Sequence, residues 1–451
     1  MGFPAYPQYQ DSQTDWLGKV PANWEVRRLK FSTCLINEKS NAQEATLDYL
    51  GLEHIESWTG KRITDHTSTS EGISSKFAPG DVLFGKLRPY LAKVWLADSQ
   101  GVATSEALVI RPDNEVIGCF LKYYMLSRDF IDVVNGSTYG SKMPRANWDF
   151  IGNLSLLIPA IKEQRQIARF LDHKTAQIDR LIEKKQELIE KLQEQRIAII
   201  TQAVTKGLVP EALMQNTKIN WLGAIPSTWE ISPLKRIINE DTRNGLYKEK
   251  DQFIADGIPF VQMGEAFAEP ELTQTARDRV NTTQGELHKW GLLEGDLLFA
   301  RRSLVFEGSG KCVIIGKLQE PHLFESSMIR VRIDTQKALP KFIFHYFQSA
   351  FSRAEILATT KTVTISGIDS QQLKGLTVCL PDIKTQGEIV DFISKSSEKF
   401  SAAITANSTT IARLMEYRTA LITAAVTGQI DVRNWQAPDV SKQSAQDKEV
   451  A

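Results

Sequence analysis

The chain has 451 residues, about three times the ~150 of a typical domain, so two or more domains are expected. Apolar residues make up 42%, enough to bury true cores, which excludes disorder throughout. Lys plus Arg and Asp plus Glu each number 54, which excludes a histone-like basic binder but leaves room for local basic patches.

Taken from the N-terminus, residues 24–157 carry short apolar runs such as DVLFGKL and EALVIRP, bounded by Gly, Pro, Asp and Ser. They predict buried strands. A helix is predicted over 120–134, where aromatic and aliphatic residues recur every three or four positions. Its stripe is assigned to core, not to base stacking. Residues 162–205 contain neither Gly nor Pro and predict one helix of about 44 residues, about 66 Å long. Placing Leu171 at heptad position a puts Leu171, Ile178, Lys185, Leu192 and Ile199 in that row, with Lys174, Leu181, Leu188 and Gln195 at d. Residues 229–379 form a second mixed region, with DLLFARR and MIRVRI as strands and a helix over 341–357. A second long helix then follows. Its a row is Ile393, Phe400, Asn407, Leu414 and Leu421, and its d row is Ser396, Ala403, Thr410 and Tyr417. Lys185 and Asn407, polar at the centre of each seam, would set register. Residues 431–451 are polar and expected to be disordered.

The chain repeats itself once. WLGKVPANWEVRRLK at 16–30 matches WLGAIPSTWEISPLK at 221–235 in eight of fifteen positions. IPAIKEQRQI at 158–167 matches LPDIKTQGEI at 380–389, and RIAIITQAVTK at 196–206 matches RTALITAAVTG at 418–428, both at an offset of 222. PGDVLFGKLR at 79–88 matches EGDLLFARRS at 294–303 more weakly. The expected fold is α+β: two globular domains separated by two long antiparallel coiled-coil helices with pseudo-two-fold symmetry. The boundaries read as 1–157 and 208–379 for the globular domains, 158–207 and 380–430 for the helical spacers, and 431–451 for the tail.

Catalytic motifs are missing. There is no Gly-rich cofactor loop and no Asn/Asp-Pro-Pro-aromatic motif of an amine methyltransferase. The nearest approach to a phosphate loop, GSGKC at 308–312, lacks the first glycine and has Cys312 where Ser or Thr is needed. Pro112-Asp113 and Pro381-Asp382 lack the Glu-x-Lys of a metal nuclease. Cys34, Cys119, Cys312 and Cys379 are far apart, and the six histidines show no ligand or triad spacing. No catalytic residue and no metal site is read. No apolar run reaches the ~18–20 residues of a membrane span, and the N-terminus lacks signal-peptide character, so the chain is expected in the cytoplasm.

What remains is basic and hydroxyl-bearing loop chemistry at matching places. In the first half these are Lys86, Arg88 and Tyr90 after a strand, then Ser137, Thr138, Lys142 and Arg145. In the second they are Arg301 and Arg302 after a strand, then Thr360, Lys361 and Thr362. Arginine can bond guanine bidentately, and lysine and hydroxyls can hold phosphates. The net charge is −2 over residues 1–160 and 0 over 207–381, so DNA affinity would be modest and carried by one face.

With these segments in view, the chain resembles the specificity (S) subunit of type I restriction–modification enzymes over nearly its whole length. The resemblance rests on the WLG-x-[VI]-P-x-x-W-E openings at Trp16 and Trp221 and the Pro159 and Pro381 segments that start the long helices. AVT at 203–205 and 425–427 and the GDVLF and GDLLF strands complete it. It implies a subunit without catalytic residues or cofactor of its own, in a bacterial or archaeal cytoplasm. Each variable region would read one half of a bipartite, asymmetric double-stranded DNA target. The helices would set the spacing and dock two modification subunits that methylate adenine. Restriction–translocase subunits would join them, with S-adenosylmethionine, ATP and Mg2+ on those partners. Thr385 departs from the family pattern, which Glu163 keeps. The alternatives are a stand-alone enzyme with an unfamiliar site, a subunit serving a methylation-only complex, and a coiled-coil protein-interaction scaffold without DNA readout.

Overall fold

The GD turns and the apolar strands after them organise both halves. In the computed structural model, which describes residues 3–41, 48–63, 73–140, 142–219, 222–303, 308–360 and 366–437, the chain divides into two units. One comprises Met1–Gln186 with Ser408–Ala451, the other Glu187–Asn407. The boundaries drawn at 157, 207, 379 and 430 do not coincide with this division. It cuts each long helix, Ile161–Lys206 and Ile383–Val426, near its middle.

In the first unit, Val82–Gly85 is the heart of a four-stranded antiparallel sheet, between Ala107–Pro112 and Val94–Leu96, with Thr33–Leu35 at one edge. Alternation along the strand splits its side chains between two cores. Val82 and Phe84 pack with Phe120, Tyr124 and Phe130, whereas Leu83 packs with Leu50, Phe77 and Trp95. The second unit repeats this. Leu297–Ala300 lies between Met328–Val331 and Cys312–Ile315, with Leu297 and Phe299 in one core and Leu298 in another. In each unit the opening segment pairs with the strand that runs into a long helix. Glu25–Arg28 pairs with Ser155–Ile158, and Glu230–Pro233 with Thr377–Leu380.

A buried glutamine fastens each unit to its helix. The Gln164 amide donates to the carbonyls of Pro159 (2.8 Å) and Glu115 (2.7 Å), and its oxygen accepts from the Ile117 N–H at 2.9 Å. Gln386 donates to Pro381 (2.8 Å) and accepts from the Leu339 N–H (2.8 Å). Both side chains are 0% exposed.

Three expectations are corrected. Each predicted short helix is two. Gly118–Met125 and Arg128–Gly136 break at Ser127, and Pro340–Gln348 and Ala350–Thr359 break at Ser349. Ser127 bonds back to the Tyr124 carbonyl, and Ser349 caps the following helix at Ser352 N–H, so the hydroxyls compete with the helical ladder. The tail is ordered at its start. Val432 is buried, Trp435 meets Phe170 edge-on at 5.2 Å, and Gln166 bonds the Trp435 carbonyl at 2.5 Å. Residues 438–451 lie outside the described residues. The heptad frame is right in one row only. Leu171, Ile178 and Ile393 are buried, and Lys185, Leu192, Phe400, Asn407 and Leu414 are half-buried. Most of the assigned d row faces outward, with Leu181 49% and Leu188 40% exposed and Lys174, Ser396 and Ala403 half-buried. The second inward row is instead Thr175, Ile182, Ile189 and Arg196, matched by Ser397, Ile404, Ile411 and Arg418.

Within the first unit, the start of the first long helix runs antiparallel to the end of the second. Gln166 lies by Val432 and Trp435, and Asp179 by Arg418. Gly428, in the left-handed region at φ 73°, ends the second helix against Pro21 and Trp24. A Cβ there would lie 2.3 Å from Pro21 Cγ, so only glycine fits. Removing the amide in Gln164→Leu should leave the Ile117 N–H and two carbonyls without partners. It should cost about 1–3 kcal/mol, read as a lower urea midpoint at unchanged slope.

Candidate nucleic-acid interface

The two loops singled out in the first half lie far apart in sequence and meet in the structure. The Arg88 N–H donates to the Pro144 carbonyl (2.8 Å), the Ala146 N–H donates to Lys86 (3.0 Å), and Leu87 bridges Arg145. Tyr139 pairs with Arg145 in turn, at 3.2 and 3.0 Å. Arg88, Tyr90, Tyr139, Lys142 and Met143 are exposed along this edge, and Lys86 is half-buried. Arg88 sits in the left-handed region (φ 51°) and opens the tight turn Pro89–Leu91. A non-glycine residue held there signals a turn fixed by its surroundings.

The second unit builds the same edge from the same backbone bonds. Lys86 N–H donates to Glu106, and Arg301 N–H to Ser327; Lys86 carbonyl accepts from Ala146, and Arg301 carbonyl from Ile368. Arg302 then pairs with Gly367 as Leu87 does with Arg145. Arg301 is half-buried and Arg302 exposed. Lys361 and Thr362 lie outside the described residues.

Two of the expected roles narrow. The Arg145 guanidinium forks onto Glu106 at 3.0 and 3.2 Å, and that hydrogen bond raises its pKa further. It braces the edge in the free protein instead of standing open to a base. The hydroxyl protons of Ser137, Thr138 and Thr360 go to helix-end carbonyls, at 2.7, 2.8 and 2.8 Å.

Sequence reasoning missed a clamp at the end of each central strand opposite the edge. Asp81, almost fully buried, accepts the Ala78 N–H and both arms of Arg111, at 2.7 and 2.8 Å. Asp296 does the same with Leu293 and Arg332, at 2.7 and 2.7 Å. The signal was the repeated Gly-Asp before each strand with an arginine in the neighbouring strand. Tyr139 and Tyr247, 61% and 77% exposed, were also missed as surface aromatics. Tyr247 follows Gly245 and Leu246, which bond Met328 and Phe324 beside the turn that holds Arg301. Among the described residues no group of His, Cys, Asp and Glu could hold a metal, and no helix is long and apolar enough to cross a membrane.

Each of the two units thus carries a basic, aromatic edge where its central strand ends. Residues 69–191 and 226–411 match the family model "Type I restriction modification DNA specificity domain", and the chain belongs to that family. The EcoKI specificity subunit of Escherichia coli K12 is 24% identical over 392 residues, which is 83% of this chain and 82% of that protein. The MjaVIII specificity subunit of Methanocaldococcus jannaschii is 20% identical over 82% of this chain and 84% of that protein. A chain from a solved structure concerned with complex assembly and conformational transition of the type I R-M system shares the fold. Its TM-score is 0.68 and its identity 18%, over 90% of this chain and 98% of that one.

Arg145 and Glu106 act as one brace. Arg145→Ala and Glu106→Ala should weaken DNA binding equally, and the double variant no more than either single one. A double-mutant cycle on binding constants at fixed salt checks this.

Proposed function

We propose that this chain is the sequence-reading, non-catalytic subunit of a type I restriction–modification complex. Each unit would read one half of a bipartite, asymmetric duplex target. The observation that carries the reading is the duplicated edge. Lys86 and Arg301 occupy the same backbone position, just after the central strands of two matching sheets in a chain of this family. In this reading, exposed Arg88 and Arg302 reach base edges, Lys86 and Lys142 hold phosphates, and Tyr139 and Tyr247 give apolar contact. The two long helices form an antiparallel spacer that sets the half-site separation and docks two modification subunits. Those partners, with the restriction subunits, carry S-adenosylmethionine, ATP and Mg2+.

The physical logic is additive. Each base pair contributes about 1–3 kcal/mol of discrimination, and linking two readers raises the effective concentration at the second half-site. A ruler between them converts half-site spacing into a third element of specificity. A protein-only scaffold gives no reason for two matching basic edges.

Methylome sequencing of a host with and without this chain, its modification partner present, tests the reading. A bipartite adenine-methylation motif should vanish on deletion; an unchanged methylome with an active partner overturns it. Arg302→Ala should weaken only the half-site read by the second unit, by about 1–3 kcal/mol. Lys86→Ala should weaken all sequences alike and lower the salt slope by about 1. Inserting one heptad within 171–199 should change the tolerated spacing and leave both half-site sequences unchanged.

A further inference from the structure

The first unit contains a buried ionic junction that, among the described residues, is not repeated at the matching positions Arg196 and Ser401 of the second. Arg418, on the second long helix, is 5% exposed. Its Nε donates to Asp179 on the first long helix at 2.8 Å. Its two terminal nitrogens donate to the carbonyls of Trp58 (2.8 Å) and Thr59 (3.0 Å). Lys61 from the same loop meets the other Asp179 oxygen at 2.8 Å. One guanidinium thus joins both long helices and a loop of the globular part. Its planar fork meets the three acceptors in one fixed geometry, which the rotatable ammonium of a lysine does not impose.

The loop is stiff and leads to the candidate DNA edge. Trp58 and Gly60 are held at φ 65° and 76°, and the Arg128 guanidinium lies 5.7 Å from the Trp58 ring centroid. Trp58 N–H donates to the carbonyl of Ala92 at 3.2 Å, and Ala92 closes the turn that Arg88 opens. Two hydrogen bonds and one short turn therefore separate Arg418 from Arg88.

The repeat isolates this feature. Thr423 accepts the Arg128 N–H at 2.9 Å, and Thr201, 222 residues earlier, accepts the Ala350 N–H at the same distance. That latch is common to both units. The residue matching Arg418 is Arg196 and the one matching Asp179 is Ser401. Arg196 makes no hydrogen bond or ion pair among the described residues. It stands near His345, a histidine whose pKa burial, and then Arg196, lowers to about 4.

We propose that Arg418 is a positioning residue for DNA recognition, which locks the reading edge of the first unit onto the long helices so that half-site spacing is read sharply. The inference rests on the bipartite reading given above. Spacing selectivity needs a stiff join between reader and ruler, because a loose join lets one reader reach a displaced half-site at little cost. Arg418 touches no DNA in this scheme, so its loss should not alter which bases are read.

The test uses the complex co-expressed with its modification subunits. Duplexes carry both half-sites unchanged, with the gap varied by one base pair either way, and the readout is methylation off-spacing relative to on-spacing. Arg418→Gln and Asp179→Asn should raise that ratio roughly three- to tenfold, with half-site sequences unchanged. Arg196→Gln should leave it where the wild type has it. Lys61→Ala, which removes the outermost partner, should raise it less and serves if Arg418→Gln fails to assemble. An unchanged ratio in assembled Asp179→Asn and Lys61→Ala complexes, or an equal rise in Arg196→Gln, overturns the inference. A wild-type complex indifferent to spacing overturns the underlying reading, and the inference with it.

Discussion

A carboxamide sealed from water holds each half of this protein to its long helix. Gln164 and Gln386 each bond three backbone groups at once: the proline carbonyl before the long helix, and a carbonyl and an N–H in the segment that leads into a short helix. Without the amide, a buried N–H and buried carbonyls would face only hydrocarbon, and burying an unmade hydrogen bond costs more than making one gains. The amide acts together with the strand that runs into each helix and with the Thr423 and Thr201 latches to fix the long helix against its sheet.

The two halves share this frame and differ where the frame permits. Glu163 accepts from the Tyr6 hydroxyl at 2.7 Å and Trp24 Nε1 at 3.1 Å, and burial together with that bond pushes the tyrosine's pKa up. At the matching position, the N–H and hydroxyl of Thr385 donate back to the capping Asp382 carboxylate, at 3.0 and 2.7 Å. A long carboxylate gathers the N-terminal segment, whereas a short hydroxyl can only serve its own helix. The first unit also takes its last helical segment from the far end of the chain. Asp431 N–H bonds the Pro4 carbonyl at 2.7 Å, and Tyr9 hydroxyl bonds Gly428 at 3.0 Å. Residues near both ends thus meet in one core. The second unit achieves the equivalent with the continuous stretch through Gly207, whose positive φ of 75° matches that of Gly428.

The two candidate edges carry different side chains on a repeated frame. The backbone bonds at Lys86 and Arg301 are the same, so their Cβ atoms leave similar sheets from similar places. What projects differs: lysine and arginine, Tyr139 and Tyr247, a braced Arg145 and an unsubstituted Gly367.

Much of this was legible in one dimension. The repeat, the absence of catalytic motifs, the long helices and the buried strands follow from identity at fixed offset, from missing residue types and from hydrophobic period, which are properties of neighbours in sequence. The heptad frame was only half legible. Leu-Ile doublets at 181–182 and 188–189 fit either row, and only the packing of Ile182, Ile189 and Arg418 chooses. Arg145 looked like a free cation because nothing local announces Glu106, 39 residues away. The hydroxyls of Ser137 and Thr138 looked available because their helix-end acceptors exist only once the helix ends there. Arg418 was read only as part of a repeated segment, since Trp58, Thr59 and Asp179 are brought to it by folding. The sequence alone determined the repeated elements and the chemistry the chain lacks. Tertiary structure decided which charges are spent inside the protein and which remain to meet a partner, because hydrogen-bond partners are assigned by distance in space, and distance in sequence does not encode it.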